Sequence, residues 1–161
     1  MRKTILLRLD RVLIFFTRYI GKETSSMKSG LDIKIITNNP LVVSCLSDYY
    51  EIEYHEISFR EILVKVRDMV YEGYELRTHP IAGSVKPNET PYKSIVVTKK
   101  KVGFNMDHAG LCSGALTVFD KFTPIGWTLP ERILQDFQLI DYTLLAGALD
   151  FDAAAGLSKL P

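Results

Sequence analysis

Three prolines, Pro80, Pro87 and Pro91, fall inside one short stretch of a 161-residue chain and deny it regular secondary structure. Each ring fixes φ and removes a backbone donor, so neither a helix nor a central strand can run through the segment. The same stretch, Gly73 to Ser94, holds His79, Gly83, Lys86, Asn88, Glu89 and Lys93, with hydroxyls at Thr78, Ser84, Thr90 and Ser94. Strand-like runs flank it on both sides. A connection stiffened by proline loses less conformational entropy on ordering than a Gly/Ser loop of equal length. Loops held rigid by a scaffold are where binding and catalytic groups tend to sit, which makes 78–94 the candidate functional segment.

At 47% hydrophobic and 11% aromatic residues, the chain can bury one core and has little room for a second. The expected organisation is an N-terminal extension and linker over 1–30, one domain over 31–150, and a disordered tail over 151–161. A net charge of +1 argues against binding a polyanion by bulk charge, so no nucleic-acid partner is expected. Cys45 and Cys112 form no CxxC pair and fall in segments expected to be helical. No disulfide framework is implied, which suits a reducing, cytoplasmic setting.

Residues 1–26 are unlike the rest. Arg2, Lys3, Arg8, Arg11, Arg18 and Lys22 face only Asp10 and Glu23, while Ile5, Leu9, Val12, Leu13, Phe16 and Ile20 share one helical face. The unbroken apolar run is far short of the ~20 residues a membrane span needs. Two readings stand: a basic amphipathic helix lying on a membrane or a partner, or an upstream extension of the reading frame with Met27 as the start. Membrane contact is expected only under the first.

From Ile33 the pattern becomes regular. Ile33 to Thr37 reads as a buried strand, and Asn38-Asn39-Pro40 follows directly with a cap residue and a first-turn proline, the signals of a helix start. A short helix to about Ser47 and a strand over Tyr50 to Ile57 come next. Ser58 and Glu61 form a capping box ahead of Phe59, Ile62, Leu63, Val66, Met69 and Val70, and Gly73 closes that helix. Tyr74 to Thr78 and Tyr92 to Thr98 are the remaining strands. Asp107 is expected to cap a helix reaching about Phe122, broken by Thr123-Pro124. Thr128 and Glu131 form a second capping box, opening a helix with Ile133, Phe137, Ile140, Leu144 and Ala148 along one face.

Strand and helix alternate in the order that gives parallel α/β layers. The expectation is an α/β fold, a small three-layer sandwich with a mostly parallel four-stranded sheet, Rossmann-like or flavodoxin-like. Ligands in such sheets settle beyond the carboxyl ends of the strands. The turn at Asn38-Asn39 and the loop starting at Thr78 both leave such ends, so parallel strands would bring them to one rim.

On that rim His79 is a candidate general acid or base near neutral pH, or a donor to an anion; alternatively it bonds the loop to itself. Lys86 and Lys93, with Ser84, Thr90 and Ser94, suit a carboxylate or phosphate, and Gly83 would admit backbone amides close to it. Solvated lysines are the plainer alternative, with Glu89 pairing one of them. Asn39 is explained by capping, and Asn38 has the better claim to a ligand beside the helix start. No G-x-x-x-x-G-K-[ST], G-x-G-x-x-G or G-x-S-x-G occurs. His55, His79 and His108 lack metal-ligand spacing, so neither a metal nor a cofactor is expected.

Ile-Ile-Thr-Asn-Asn-Pro-Leu-Val at 35–42, Val-Arg-Asp-Met-Val-Tyr-Glu-Gly-Tyr at 66–74 and Thr-His-Pro-Ile-Ala-Gly-Ser-Val-Lys-Pro-Asn-Glu-Thr-Pro-Tyr-Lys-Ser at 78–94 resemble GrdX proteins. These are small proteins encoded beside glycine, sarcosine and betaine reductase genes of anaerobic amino-acid-fermenting bacteria. The likeness runs from about Ile33 to Leu149. It implies an accessory role beside reductase components and names no activity. The expected function is an accessory protein that binds a small anionic ligand or a partner protein through Asn38, Asn39, Thr78, His79, Gly83, Ser84, Lys86, Asn88, Glu89, Thr90 and Lys93. The alternatives are a small enzyme using His79 as acid/base on a carboxylate- or phosphate-bearing substrate, and a scaffold that docks a reductase subunit.

Overall fold

The computed structural model of the protein describes residues 32–83, 86–122 and 128–158. The expectations for residues 1–26, for Ser84 and for the break at Thr123-Pro124 lie outside the described residues. Three strands, β1 (Ile33–Thr37), β2 (Glu51–Tyr54) and β3 (Ser94–Thr98), form one sheet in the order β2-β1-β3. Five helices accompany them among the described residues: α1 (Pro40–Leu46), α2 (Phe59–Tyr71), α3 (Met106–Phe119), α4 (Glu131–Ala148) and α5 (Ala153–Leu157).

The sheet is the middle layer because β1 and β3 place buried apolar side chains on both faces, successive side chains pointing to opposite sides. Ile36, Ile95 and Val97 enter a core with Ile62, Leu63, Val66 and Val70 of α2 and Ala109, Cys112, Ala115, Leu116 and Phe119 of α3. Ile35 and Val96 enter the opposite core, with Val42, Cys45 and Leu46 of α1 and Tyr142, Leu145 and Ala146 of α4. Both cysteines are buried, and no disulfide joins them.

The four-stranded, mostly parallel sheet is corrected. β1 pairs β2 in parallel, but β3 runs antiparallel to β1, with Ile35 opposite Val96 and Thr37 opposite Ser94. The sheet is therefore three-stranded and mixed, and the Rossmann-like or flavodoxin-like analogy goes with it. The stretch 74–78, expected as a strand, makes a single bridge from Leu76 to Val97. Its other ties to β3 are irregular. Arg77 N and Thr78 N both donate to Val96 O, and the Thr78 hydroxyl accepts from Val96 N, a ladder position that a strand would fill with a carbonyl.

Helix starts follow local chemistry where the cap is a free side chain. Asn39 caps α1, accepting from Leu41 N at 3.0 Å, and the Ser58–Glu61 capping box forms in full on α2. Gly73 follows α2 with φ +104°, a conformation glycine alone adopts without strain. Two caps differ from expectation. α3 is capped by Asn105, whose Oδ1 accepts from both Asp107 N and His108 N, which puts Asp107 inside the helix. α4 begins after Pro130 with no side-chain cap, leaving Thr128 two positions too early to serve. α5 forms in the segment expected to be disordered, and Phe151, Ala153 and Leu157 pack on the α1–α4 core.

Candidate functional site

The carboxyl end of β1 and the amino end of β3 lie side by side because the two strands are antiparallel. This is what joins the Asn38 turn to the proline loop. Asn38 Oδ1 accepts from Lys93 N at 2.7 Å, and its Nδ2 donates to Ile57 O and Pro91 O, both at 2.8 Å. With both amide hydrogens used, Asn38 works as a clamp on the loop. Asn39 is equally occupied: beyond the cap, its Nδ2 donates to Gln138 O at 2.9 Å and Asp141 Oδ2 at 3.0 Å.

Asp141, on the buried face of α4, anchors the other side. Its Oδ1 accepts from Ser94 N at 3.0 Å and its Oδ2 from the Ser94 hydroxyl at 2.6 Å. The Ser94 proton is thereby committed, so the 2.6 Å contact between Thr37 Oγ1 and Ser94 Oγ has threonine as donor. Thr37 Oγ1 in turn accepts from Asn39 N at 2.9 Å. The resulting chain of bonds is buried at every member and ties α1, β1, β3 and α4 together. A network of this kind is stable because each polar atom has a partner.

Beside the network lies a cavity of about 40 Å³ lined by Thr78, His79, Ala82, Gly83, Lys93 and Asp141, with Leu144, Leu145 and Ala148 as its aliphatic wall. A smaller space of about 30 Å³ shares Ala82, Gly83, Lys93, Asp141 and Leu144 with it and adds Thr90 and Tyr92. Lys93 is 8% exposed. Its Nζ donates to Ala82 O at 3.0 Å and sits 5.9 Å from the centroid of the Phe59 ring. Burial pushes its pKa down, and the Asp141 charge opposes that only in part. Among the described residues no carboxylate lies within 4 Å of this nitrogen, whereas Lys34, also well covered, reaches Glu53 at 2.8 Å.

His79 is half-buried. Its Nδ1 accepts from Ile81 N at 3.3 Å, which leaves the ring proton on Nε2. Burial lowers its pKa and the neighbouring Lys93 charge lowers it further, so the ring is neutral at pH 7. Thr78 uses its oxygen to accept from Val96 N at 2.9 Å and keeps its hydroxyl proton. Thr78 O–H, His79 Nε2–H and the remaining Lys93 N–H bonds have no protein acceptor among the described residues. Gly83 closes the cavity with φ +145°, and a Cβ there would stand 3.3 Å from Leu144 Cδ1.

The rest of the loop faces elsewhere. Lys86 is exposed and Glu89 half-buried, and they stand 3.8 Å apart as an i,i+3 pair. Asn88, Glu89 and Thr90 border a broad depression of about 440 Å³ with Ser58, Arg60 and Phe119. Thr90 Oγ1 accepts from Tyr92 N at 3.2 Å, an ordinary turn contact. Thr78, His79, Gly83 and Lys93 are therefore brought to one cavity, Asn38 and Asn39 hold its frame, and Lys86 and Asn88 stand outside it. Asp141 was not singled out in the sequence, although a carboxylate set among Ile140, Tyr142, Leu144 and Leu145 was a readable signal. Among the described residues no group of three His, Cys, Asp or Glu converges as a metal site would require.

No curated protein and no solved structure matches the chain. The family model described as GrdX-like protein matches residues 34–150, spanning β1 through α4, the proline loop and the cavity. The chain belongs to the GrdX-like protein family.

Proposed function

We propose that this GrdX-family protein is an accessory protein of the glycine, sarcosine and betaine reductase system that takes a small anionic ligand into the cavity under the 78–94 loop. The observation that carries the reading is a buried lysine with no carboxylate partner among the described residues, lining a cavity with Thr78 and His79, whose O–H and Nε2–H find no acceptor among those residues either. Three donors and no spare acceptor among them suit an oxyanion, and a charge-assisted bond from Lys93 would be the strongest contact. His79 suits the part of donor better than that of base, since Nδ1 is occupied by Ile81 N. The volume limits the ligand to a few heavy atoms. One water needs about 10–15 Å³ of such space.

The ring of His79 also borders an open groove along α3, beside Met106, Gly110, Leu111 and Gly114, and so stands between the cavity and solvent. Thermal unfolding with glycine, sarcosine, betaine, acetate and acetyl phosphate tests the reading. At millimolar concentration at least one carboxylate or phosphate should raise the midpoint by a few degrees, and Lys93→Met should abolish the rise. No stabilisation by any of them would remove the ligand from the proposal.

A further inference from the structure

We infer that Lys93 is a carbonyl-capturing amine, condensing in this cavity with a small aldehyde or 2-oxo acid to form an imine. The inference deepens the reading above and rests on its claim that a small oxygen-bearing ligand enters here.

The geometry carries the argument in three steps. First, an ammonium has three N–H bonds to satisfy, and among the described residues Lys93 finds one acceptor, Ala82 O. Secondly, the carboxylate that could have held the charge is spent elsewhere: Asp141 accepts from Ser94 N, Ser94 Oγ and Asn39 Nδ2, and no Lys93–Asp141 ion pair forms. A buried lysine with no counter-ion among the described residues gives up its proton more readily than a surface one, and the lone pair so freed is the nucleophile. The Phe59 ring at 5.9 Å opposes this weakly. Thirdly, Leu144, Leu145 and Ala148 make the cavity wall aliphatic, which limits hydrolysis of an imine once formed.

The groups around the nitrogen match the proton traffic of the reaction. The Nζ lone pair attacks the carbonyl carbon, and the C–O π pair moves to oxygen. His79 Nε2–H donates a hydrogen bond to that oxygen as its charge builds, and one proton passes from the nitrogen to the oxygen to give the carbinolamine. A second proton passes from nitrogen to oxygen, water leaves, and the C=N bond forms. Amine and carbonyl become imine and water, and nothing is oxidised or reduced. For a 2-oxo acid, the Thr78 hydroxyl is left to hold the carboxylate. At about 40 Å³ the cavity takes two- or three-carbon compounds.

The test uses the full chain with glyoxylate, pyruvate or acetaldehyde at millimolar concentration and sodium cyanoborohydride to reduce the imine, followed by intact mass and peptide mapping. The expected result is a single adduct on Lys93, formed at least tenfold faster than on the exposed Lys100 and with its rate rising at lower pH than that of the surface lysines. Lys93→Arg should abolish this adduct. His79→Gln should slow it severalfold without changing its final extent. Label spread over surface lysines with Lys93 unmodified overturns the inference, and because mapping is done on the unmutated protein, a variant that fails to fold does not blur the outcome. Stabilisation by carboxylates without labelling sinks the imine and leaves the ligand reading standing. Labelling of Lys93 without any such stabilisation supports the imine and removes the reversible anion.

Discussion

Asp141 shows how much one side chain can organise. Three hydrogen bonds converge on its carboxylate from Ser94 and Asn39, and the residue is 8% exposed. An asparagine there keeps the shape but turns one acceptor into a donor that faces other donors. Asp141→Asn should therefore lower stability by about 2–4 kcal/mol, read from urea unfolding. Glu53 is the opposite case, at the surface. Burial alone would raise its pKa, yet hydrogen bonds from Lys34, Lys65 and His55 hold it at about 2, against 4.5 for an ordinary glutamate. Since the folded value is the lower one, its contribution is complete above about pH 4.5 and drains away as pH falls towards 2. Glu53→Gln should cost about 1 kcal/mol or less at pH 7, because the group is partly solvated, and should flatten the acid limb of stability over that window. An acid limb unchanged by the substitution would show that Glu53 is not paired in solution. Of the residues discussed so far, Asn39 was legible from its position between a strand and a proline. Lys93 was legible as a cation suited to an anion, and Asp141 only as a carboxylate among apolar neighbours; the burial of either was not, because it depends on what packs over the charge.

At the scale of elements, α4 is the most instructive. Its sequence offers a line through Ile133, Phe137, Ile140, Leu144 and Ala148, and these residues are only half-buried. The fully buried set is Asp141, Tyr142, Leu145 and Ala146, rotated towards the sheet. The line that looked like a core face lies partly over the proline loop, where Phe137, Ile140 and Leu144 wall the small cavities. Periodicity identified a helix with an apolar side, and two overlapping apolar stripes left its rotation open. The short α5 depends on this rotation. Tyr142 donates its hydroxyl to Ala153 O at 2.8 Å, and a Cβ on Gly156 would collide with the same hydroxyl oxygen. Gly156→Ala should thus destabilise the protein by about 1–3 kcal/mol and expose the amides of α5 to hydrogen exchange. Full stability with unchanged exchange would show that α5 does not dock as described.

For the molecule as a whole, the decisive feature is the direction of β3. A parallel sheet would have gathered the two loops at its carboxyl edge. The mixed sheet gathers them too, by setting the start of β3 beside the end of β1, where Thr37 meets Ser94 and Asn38 grips Lys93 N. Thr78 reaches the same edge through its contacts with Val96. Both cores share this sheet, one on each face, so the cavity is braced from below by β3 and from the side by α4. Among the described residues no helix is long and apolar enough to cross a membrane.

Local chemistry in the sequence determined the strand at 33–37 and, within the run read from Tyr92 to Thr98, the strand at 94–98, the caps at Asn39 and Ser58, the closing Gly73, the irregular course of 78–83 and 86–91 and the family to which the chain belongs. Each depends on neighbours within a few residues or on direct likeness. Strand direction, the rotation of α4, the burial of Lys93 away from the described carboxylates and the burial of Asp141 were decided only by tertiary structure. These are set by which surfaces exclude water together, and residues as far apart as Asn39 and Asp141 meet only after the layers have packed.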